Sequence, residues 1–482
     1  MQPSWDILAP LAAGFIILAI AVVSLWRKLF SQNIGINMNE WQCPVKEFAS
    51  ADRDLERRLK RLKWEGDLDT FERVWNETTS VVDAILKTVF QIMRAEAREY
   101  EGLVLDGYRK YGSAREGLLV RAPDTFDVLL EYRIDGLRIQ PKPLVKVGVS
   151  HPGLGKLKIL NAVNEIENKF KTWLRKRIIV IHNNTYFLDS HILHVSIFKS
   201  IADRLRGNIT NIKKQSVPFQ LRVKTNASHI NIQIQNQMKN SGQWRRFVNW
   251  IHRKANIPTD IDINIVPAMK IKTEKAKGPR RLMKCPRYAI VKPMNKSPPS
   301  SFPANDPAIL WRFCVSGYET HYLDMARNDK GKRYIMTACR IFKTFIHKEQ
   351  EKVRSGYQPL PISTFFSSYY LKNIAFYCMQ FTESVKSVRE ALGYFLIFLK
   401  ICLEEENLPQ FFRGNKTLML DFPSCAKGCQ VNLFRDVPPG ALGKARTSFN
   451  TMLLQLPGMY DITTFESATS TEFRKFVSPM RI

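Results

Sequence analysis

Apolar residues follow two rhythms along this chain. From Ala51 to Arg98 they recur at three- and four-residue steps (Leu55, Leu59, Leu62, Phe71, Val74, Val81, Ile85, Val89, Ile92), which predicts a long amphipathic helix. Its first half carries a basic face of Arg53, Arg57, Arg58, Lys60, Arg61 and Lys63. Phe126–Tyr132 reads as an apolar strand with Asp127 at its start. Arg133–Val149 and Ile178–Phe198 contain further alternating runs, and Leu221–Ile234 is another candidate strand. Period two in Asp260–Pro267 puts Asp260, Asp262 and Asn264 on one strand face. Helical spacing returns in Tyr334–Glu351, Phe365–Phe381 and Val385–Leu403. Between the two regimes, Met269–Lys296 is rich in Lys and Arg and Ser297–Pro307 in Pro and Ser, which together read as an exposed loop and a lobe boundary.

Ile7–Trp26 carries no charge and, at about 1.5 Å per residue, reaches across a hydrocarbon core of about 30 Å. Arg27 and Lys28 follow it and only Asp6 precedes it, so the positive-inside rule puts the C-terminal bulk in the cytosol. A signal peptide would have a basic stretch first and a shorter apolar run. The expectation is a single-pass protein with residues 1–30 as anchor and 31–50 as linker, in the mitochondrial outer membrane or the endoplasmic reticulum.

The 482 residues are 45% hydrophobic and 11% aromatic, which excludes a disordered chain and allows a core in two or more lobes. Lys and Arg number 73 against 44 Asp and Glu, a formal charge of +29 that favours nucleic acid, anionic lipid or phosphorylated ligands. So close to an anchor, the basic face of the first helix suits lipid headgroups, at about 1 kcal/mol per residue. Eight scattered cysteines suit reduced, buried thiols rather than a disulfide framework. Cys425 and Cys429 form a lone pair, so no structural zinc is expected. The chain has no nucleophile triad, HExxH or Walker loop.

The chemistry-bearing stretch is Tyr111–Tyr132, YGSAREGLLVRAPDTFDVLLEY. A Gly-Ser step at Gly112 and Ser113 lets backbone N–H groups and a hydroxyl approach phosphate oxygens. Carboxylates at i and i+2 of the following strand would both aim at one Mg²⁺ or Mn²⁺, as nucleotidyl transfer requires. Asp127 supplies one of them; Thr125 stands where the other would be.

This stretch resembles the first motif of the nucleotidyltransferase-fold family that contains cyclic GMP-AMP synthase and the Mab-twenty-one-like proteins, at Gly112, Ser113, Glu116, Ala122, Pro123, Phe126 and Asp127. Trp311, Arg312, Ser316 and Glu319 are similar to the family's second signature, with Cys314 replacing a serine. Ser367–Lys372 resembles its SSYxxK segment, and Leu408–Phe412 with Asn415 its LPxFF…N element. The resemblance implies an α+β, two-lobed fold: residues 51–296 as a mixed-sheet lobe with a spine helix, and 297–482 as a helical lobe. It implies that Gly112, Ser113, Arg312, Ser316, Glu319, Tyr369 and Lys372 face a purine nucleotide. Asp127 would be a metal ligand and catalytic. The family's third carboxylate often lies three residues before a proline, which selects Asn264; a two-residue shift selects Asp262, and the register stays open. The anchored layout resembles inositol trisphosphate receptor-interacting proteins and mitochondrial dynamics (fission adaptor) proteins. The expectation is therefore a catalytically reduced, nucleotide-binding regulator that recruits a protein partner to a membrane. The competing expectation is an active cyclic-dinucleotide synthase triggered by double-stranded nucleic acid.

Overall fold

The amphipathic pattern becomes α1, Leu68–Ala97, which buries Val74, Val82, Leu86, Val89 and Met93 along one face. The structure, a computed structural model, describes residues 41, 68–120, 123–146, 149–212, 219–236, 260–275, 284–291, 309–354, 356–381, 385–419, 425, 430–456 and 466–477. The expected anchor, the basic face at 53–63 and Ser297–Pro307 lie outside the described residues. No helix among the described residues is long and apolar enough to cross a membrane. Trp41, inside the stretch expected as linker, is buried edge-on against Phe126 with ring centroids 4.9 Å apart.

After α1 come β1 (Leu103–Tyr111), the single turn α2 (Gly112–Arg115) and β2 (Thr125–Ile134). They are followed by β3 (Ile139–Lys146), β4 (Val149–Ile159), β5 (Ile179–His182), β6 (Thr185–Leu188) and α3 (Lys199–Ile212). Then come β7 (Phe219–Thr225), β8 (Ile230–Asn236), β9 (Asp260–Lys275), β10 (Lys284–Val291) and β11 (Trp311–Cys314). These strands form a curled mixed sheet in the order β1-β2-β9-β10-β11-β4-β6-β5, with β3 on β4 and the β7–β8 hairpin on β9. β2 and β9 pair in parallel, and the other described pairs are antiparallel. Long β9 changes partner along one edge: Asp260–Ile265 pairs with β8 and Ala268–Lys275 with β10, while β2 keeps the other edge.

Two strand expectations need correction. Leu221–Ile234 is a hairpin rather than one strand, because Asn226–His229 turns the chain and Thr225 pairs with Ile230. Much of Met269–Lys296 is strand rather than loop. There Met269 and Ile271 point to the core while Lys270 between them is exposed, so this cation occupies the outer position of a period-two pattern.

The C-terminal part is helical: α4 (Ser316–Arg327), α5 (Lys330–Arg354), α6 (Ser368–Phe381), α7 (Val388–Glu404) and α8 (Glu466–Val477). It has its own apolar core, built on residues such as Phe342, Phe376, Phe395 and Phe411. A second core joins α1 and α3 to one face of the sheet. Leu118 belongs to the helical core and its neighbour Leu119 to the sheet core, so the segment after α2 is where the two meet.

Candidate functional site

β1 delivers Tyr111 opposite Asp127 of β2, and the chain must then reverse sharply into α2. Gly112 makes that turn at φ 75°, a left-handed conformation that glycine adopts without strain. Space also demands glycine, since a Cβ there would collide with Oδ2 of Asp127. The backbone of the Gly-Ser step therefore lies directly against the carboxylate.

Cations from the helical part hold the segment Gly112–Leu118. Arg115 makes a two-pronged pair with Asp324 of α4, at 3.2 and 2.9 Å, and Arg327 reaches both Asp324 and the carbonyl of Arg115. Arg340 of α5 donates to Gly117 O at 3.1 Å. Lys343, one turn on, donates to Ser113 Oγ at 3.0 Å and to Leu118 O at 2.8 Å. Lys372 of α6 bridges Glu116, at 3.0 and 3.1 Å, and Glu319 of α4 at 2.8 Å, with its ammonium 5.6 Å from the Tyr369 ring centre. Burial alone would lower the Lys372 ammonium, but Glu116 and Glu319 outweigh it and hold it above its ordinary value. Of the expected nucleotide-facing residues, Lys372 and Glu319 are thus each other's buried partners, joined to Glu116.

The metal side is arranged differently from a two-carboxylate centre. Parallel pairing sets Thr125 opposite Asp262 and Asp127 opposite Asn264. Asn264, three residues before Pro267, is therefore level with Asp127, and Asp262 with Thr125. Asn231 of β8 donates Nδ2 to Asp262 Oδ1 at 3.2 Å and to Asn264 Oδ1 at 3.0 Å, and Asn264 in turn donates Nδ2 to Asp127 Oδ1 at 3.0 Å. The Asn264 amide thus donates an N–H to Asp127 and accepts at its oxygen from Asn231. Burial raises the Asp127 pKa, Asn264 pulls it back, and the charge of Glu116 raises it further. A single carboxylate whose Oδ1 already accepts from an amide is a poor nest for a divalent cation, which needs anionic oxygens turned toward it. Among the described residues, no group of three His, Cys, Asp or Glu converges on a point where a metal would sit. The donor set does not fit a two-metal centre.

Arg312 on β11 is exposed, and its register partner in β4 is Leu154. Cys314, two positions on and on the same strand face, lies 2.9 Å from Ser316 Oγ. The Tyr369 hydroxyl accepts from Gln410 Nε2 at 2.5 Å. Tyr111 ties the two sides together, because burial, Asp127 and Cys314 push its hydroxyl up while Arg312 and Lys372 pull it down. Of the expected residues, Asp127 and Asp262 lie on the sheet with Gly112 packed against Asp127, Ser113, Glu319 and Lys372 lie at the junction with Tyr369 beside Lys372, and Arg312 and Ser316 lie on β11 and at the start of α4.

Sequence reading missed Asn231, Asp324, Arg340, Lys343 and Arg413. Arg340 and Lys343 had a visible signal, two cations three residues apart within the apolar stripe of α5. Asn231 had one as well, a polar position on the sheet face opposite Asn264 once the hairpin is recognised. No family model matches this chain, and no curated protein matches it. Its function is to be argued from these residues.

Proposed function

We propose that this chain is a nucleotide-binding regulator on a catalytically silenced nucleotidyltransferase fold, anchored by Ile7–Trp26 with its bulk in the cytosol and recruiting a protein partner to that membrane. The observation that carries the reading is the Asn264–Asp127 hydrogen bond, in register across β2 and β9. A transferase that aligns a triphosphate with two metals needs carboxylates at these positions. Here one is Thr125, one is an amide committed to its neighbours, and the remaining Asp127 is shifted toward its neutral form. The ligand side supports binding without turnover: Ser113 has the ammonium of Lys343 beside it, and Arg312 stands exposed on β11. This reading takes residues 51–296 as the mixed-sheet lobe, with β11 added to its sheet, and 297–482 as the helical lobe.

The test uses the full-length chain in detergent micelles with ATP and GTP, Mg²⁺ or Mn²⁺, and duplex DNA or RNA. The expected result is a rise in melting temperature with nucleotide and no new nucleotide product. A product that forms in the wild type and is lost in Asp127→Asn would overturn the silenced reading and make the protein a synthase. No thermal response to millimolar nucleotide would overturn the binding reading.

A further inference from the structure

The ion-pair network at the junction passes over one half-buried cation, Arg413. Phe411 and Phe412, both buried in the helical core, fix its backbone, and its side chain crosses to the sheet. There Nη2 donates to Phe313 O, and the guanidinium lies where a Cβ on Gly153 would be. Gly153 immediately precedes Leu154, the register partner of Arg312, so the two arginines meet the sheet at the same place on β4 and β11. Arg115, Arg327 and Lys372 each face a carboxylate, whereas Arg413 has none within ion-pair distance among the described residues. Its ionisable neighbours are Tyr369, Cys314, Cys425 and a second cation, Arg312. Burial and the like charge of Arg312 lower its pKa, as expected where no anion offsets the desolvation. A charge held in this way is relieved by an anion from outside the chain, and a guanidinium fork suits phosphate.

We infer that Arg413 and Arg312 together form an anion subsite for the phosphates of the nucleotide, with two guanidiniums supplying the charge that a metal supplies elsewhere. The inference rests on the nucleotide-binding reading above and adds to it a residue and a consequence: binding does not require a divalent cation. Tyr369, with the Lys372 ammonium 5.6 Å from its ring centre and the charge of Arg413 acting on its hydroxyl, brings an aromatic ring near this subsite.

Calorimetry on the full-length, detergent-solubilised chain in EDTA tests this with ATP, GTP, inorganic tripolyphosphate and the bare nucleosides. Wild type should bind the nucleotides and tripolyphosphate, and Arg413→Gln should bind both at least about tenfold more weakly, the scale of a lost hydrogen bond to a charged group. Nucleoside affinity should not change. Arg413 also braces Phe313, so Arg312→Gln serves as the second variant: it is exposed, makes no hydrogen bond or ion pair among the described residues and should show the same selective loss. An Arg413→Gln protein of wild-type melting temperature that binds nucleotide as tightly as wild type sinks the subsite and leaves nucleotide binding standing. Tripolyphosphate binding that depends on Arg413, with nucleotides no tighter than tripolyphosphate, upholds the subsite and removes the nucleotide. Binding that vanishes in EDTA refutes the proposal.

Discussion

Replacing Lys372 by Met is the sharpest test of how the two halves of the molecule are joined. The ammonium makes three hydrogen bonds of 2.8 to 3.1 Å to Glu116 and Glu319, which are 2% and 4% exposed. Methionine fills most of the volume but leaves two carboxylates buried side by side without a cation. Removing one member of a buried pair costs about 3–5 kcal/mol, because the charge left behind can neither hydrate nor pair. Against a typical stability of about 5–15 kcal/mol, that is a large fraction. In the variant, burial and mutual repulsion raise both carboxyl pKa values above the ordinary value of about 4.3. A group whose folded pKa is raised contributes stability at low pH that is lost as pH rises through that value, so the deficit should be large at pH 7 and shrink toward pH 5. Urea denaturation at both pH values reads this directly, and adding Glu116→Gln to the variant should recover part of the loss. An unchanged midpoint at pH 7, or an equal deficit at both pH values, would refute the argument.

Other expectations follow from the same geometry. Gly112→Ala forces a side chain into the left-handed region and against Asp127; it should cost about 1–3 kcal/mol or more, read as a lower denaturant midpoint. Asn264→Asp should destabilise the metal-free protein, since it trades a 3.0 Å donor for a second carboxylate. Mn²⁺ should then raise the variant's melting temperature more than the wild type's, and an equal rise in both would show that the amide is not what weakens the metal side. His194 is buried, its Nε2 is bound to Asn226 O at 3.0 Å, its Nδ1 has no partner, and burial lowers its pKa. The unfolded chain therefore binds a proton that the folded ring refuses, and stability should fall as pH drops below about 6.5. His194→Gln should flatten that fall in thermal melts between pH 5 and 8.

Elements with one strong period were legible before the fold was known. β2 and the start of β9 follow their alternation, and α5 and α7 their helical spacing, because one face of each is buried and the pattern records it. The β7–β8 hairpin was read as one strand because its alternation runs on through the turn at Asn226–His229. The β9–β10 stretch was read as loop because the density of Lys and Arg drew attention from Met269 and Ile271 between them. Ion partners were illegible for a different reason: Lys372 meets Glu116 across 256 positions and Glu319 across 53, and no local pattern encodes such a pair. Arg413 lies inside the LPxFF…N stretch but is not one of its marked positions; what singles it out is the lack of a carboxylate among the described residues around it, a property of three-dimensional neighbours.

The Gly-Ser segment is the bolt between two cores and, on the proposed reading, also a ligand-facing turn. Its carboxylate, carbonyls and hydroxyl are held by Lys372, Arg340, Arg327 and Lys343, which come from α4, α5 and α6. Its two successive leucines enter different cores. A phosphate that accepts from the Ser113 hydroxyl would polarise the same oxygen that accepts from Lys343, so occupancy at the site would strengthen a contact that α5 makes with this segment. In an enzyme such coupling aligns a substrate for chemistry. On the proposed reading, with Asp127 tied to Asn264, the same coupling would report occupancy by changing how firmly the helical part is held to the sheet, and that mechanical half of such a site is the half a regulator uses.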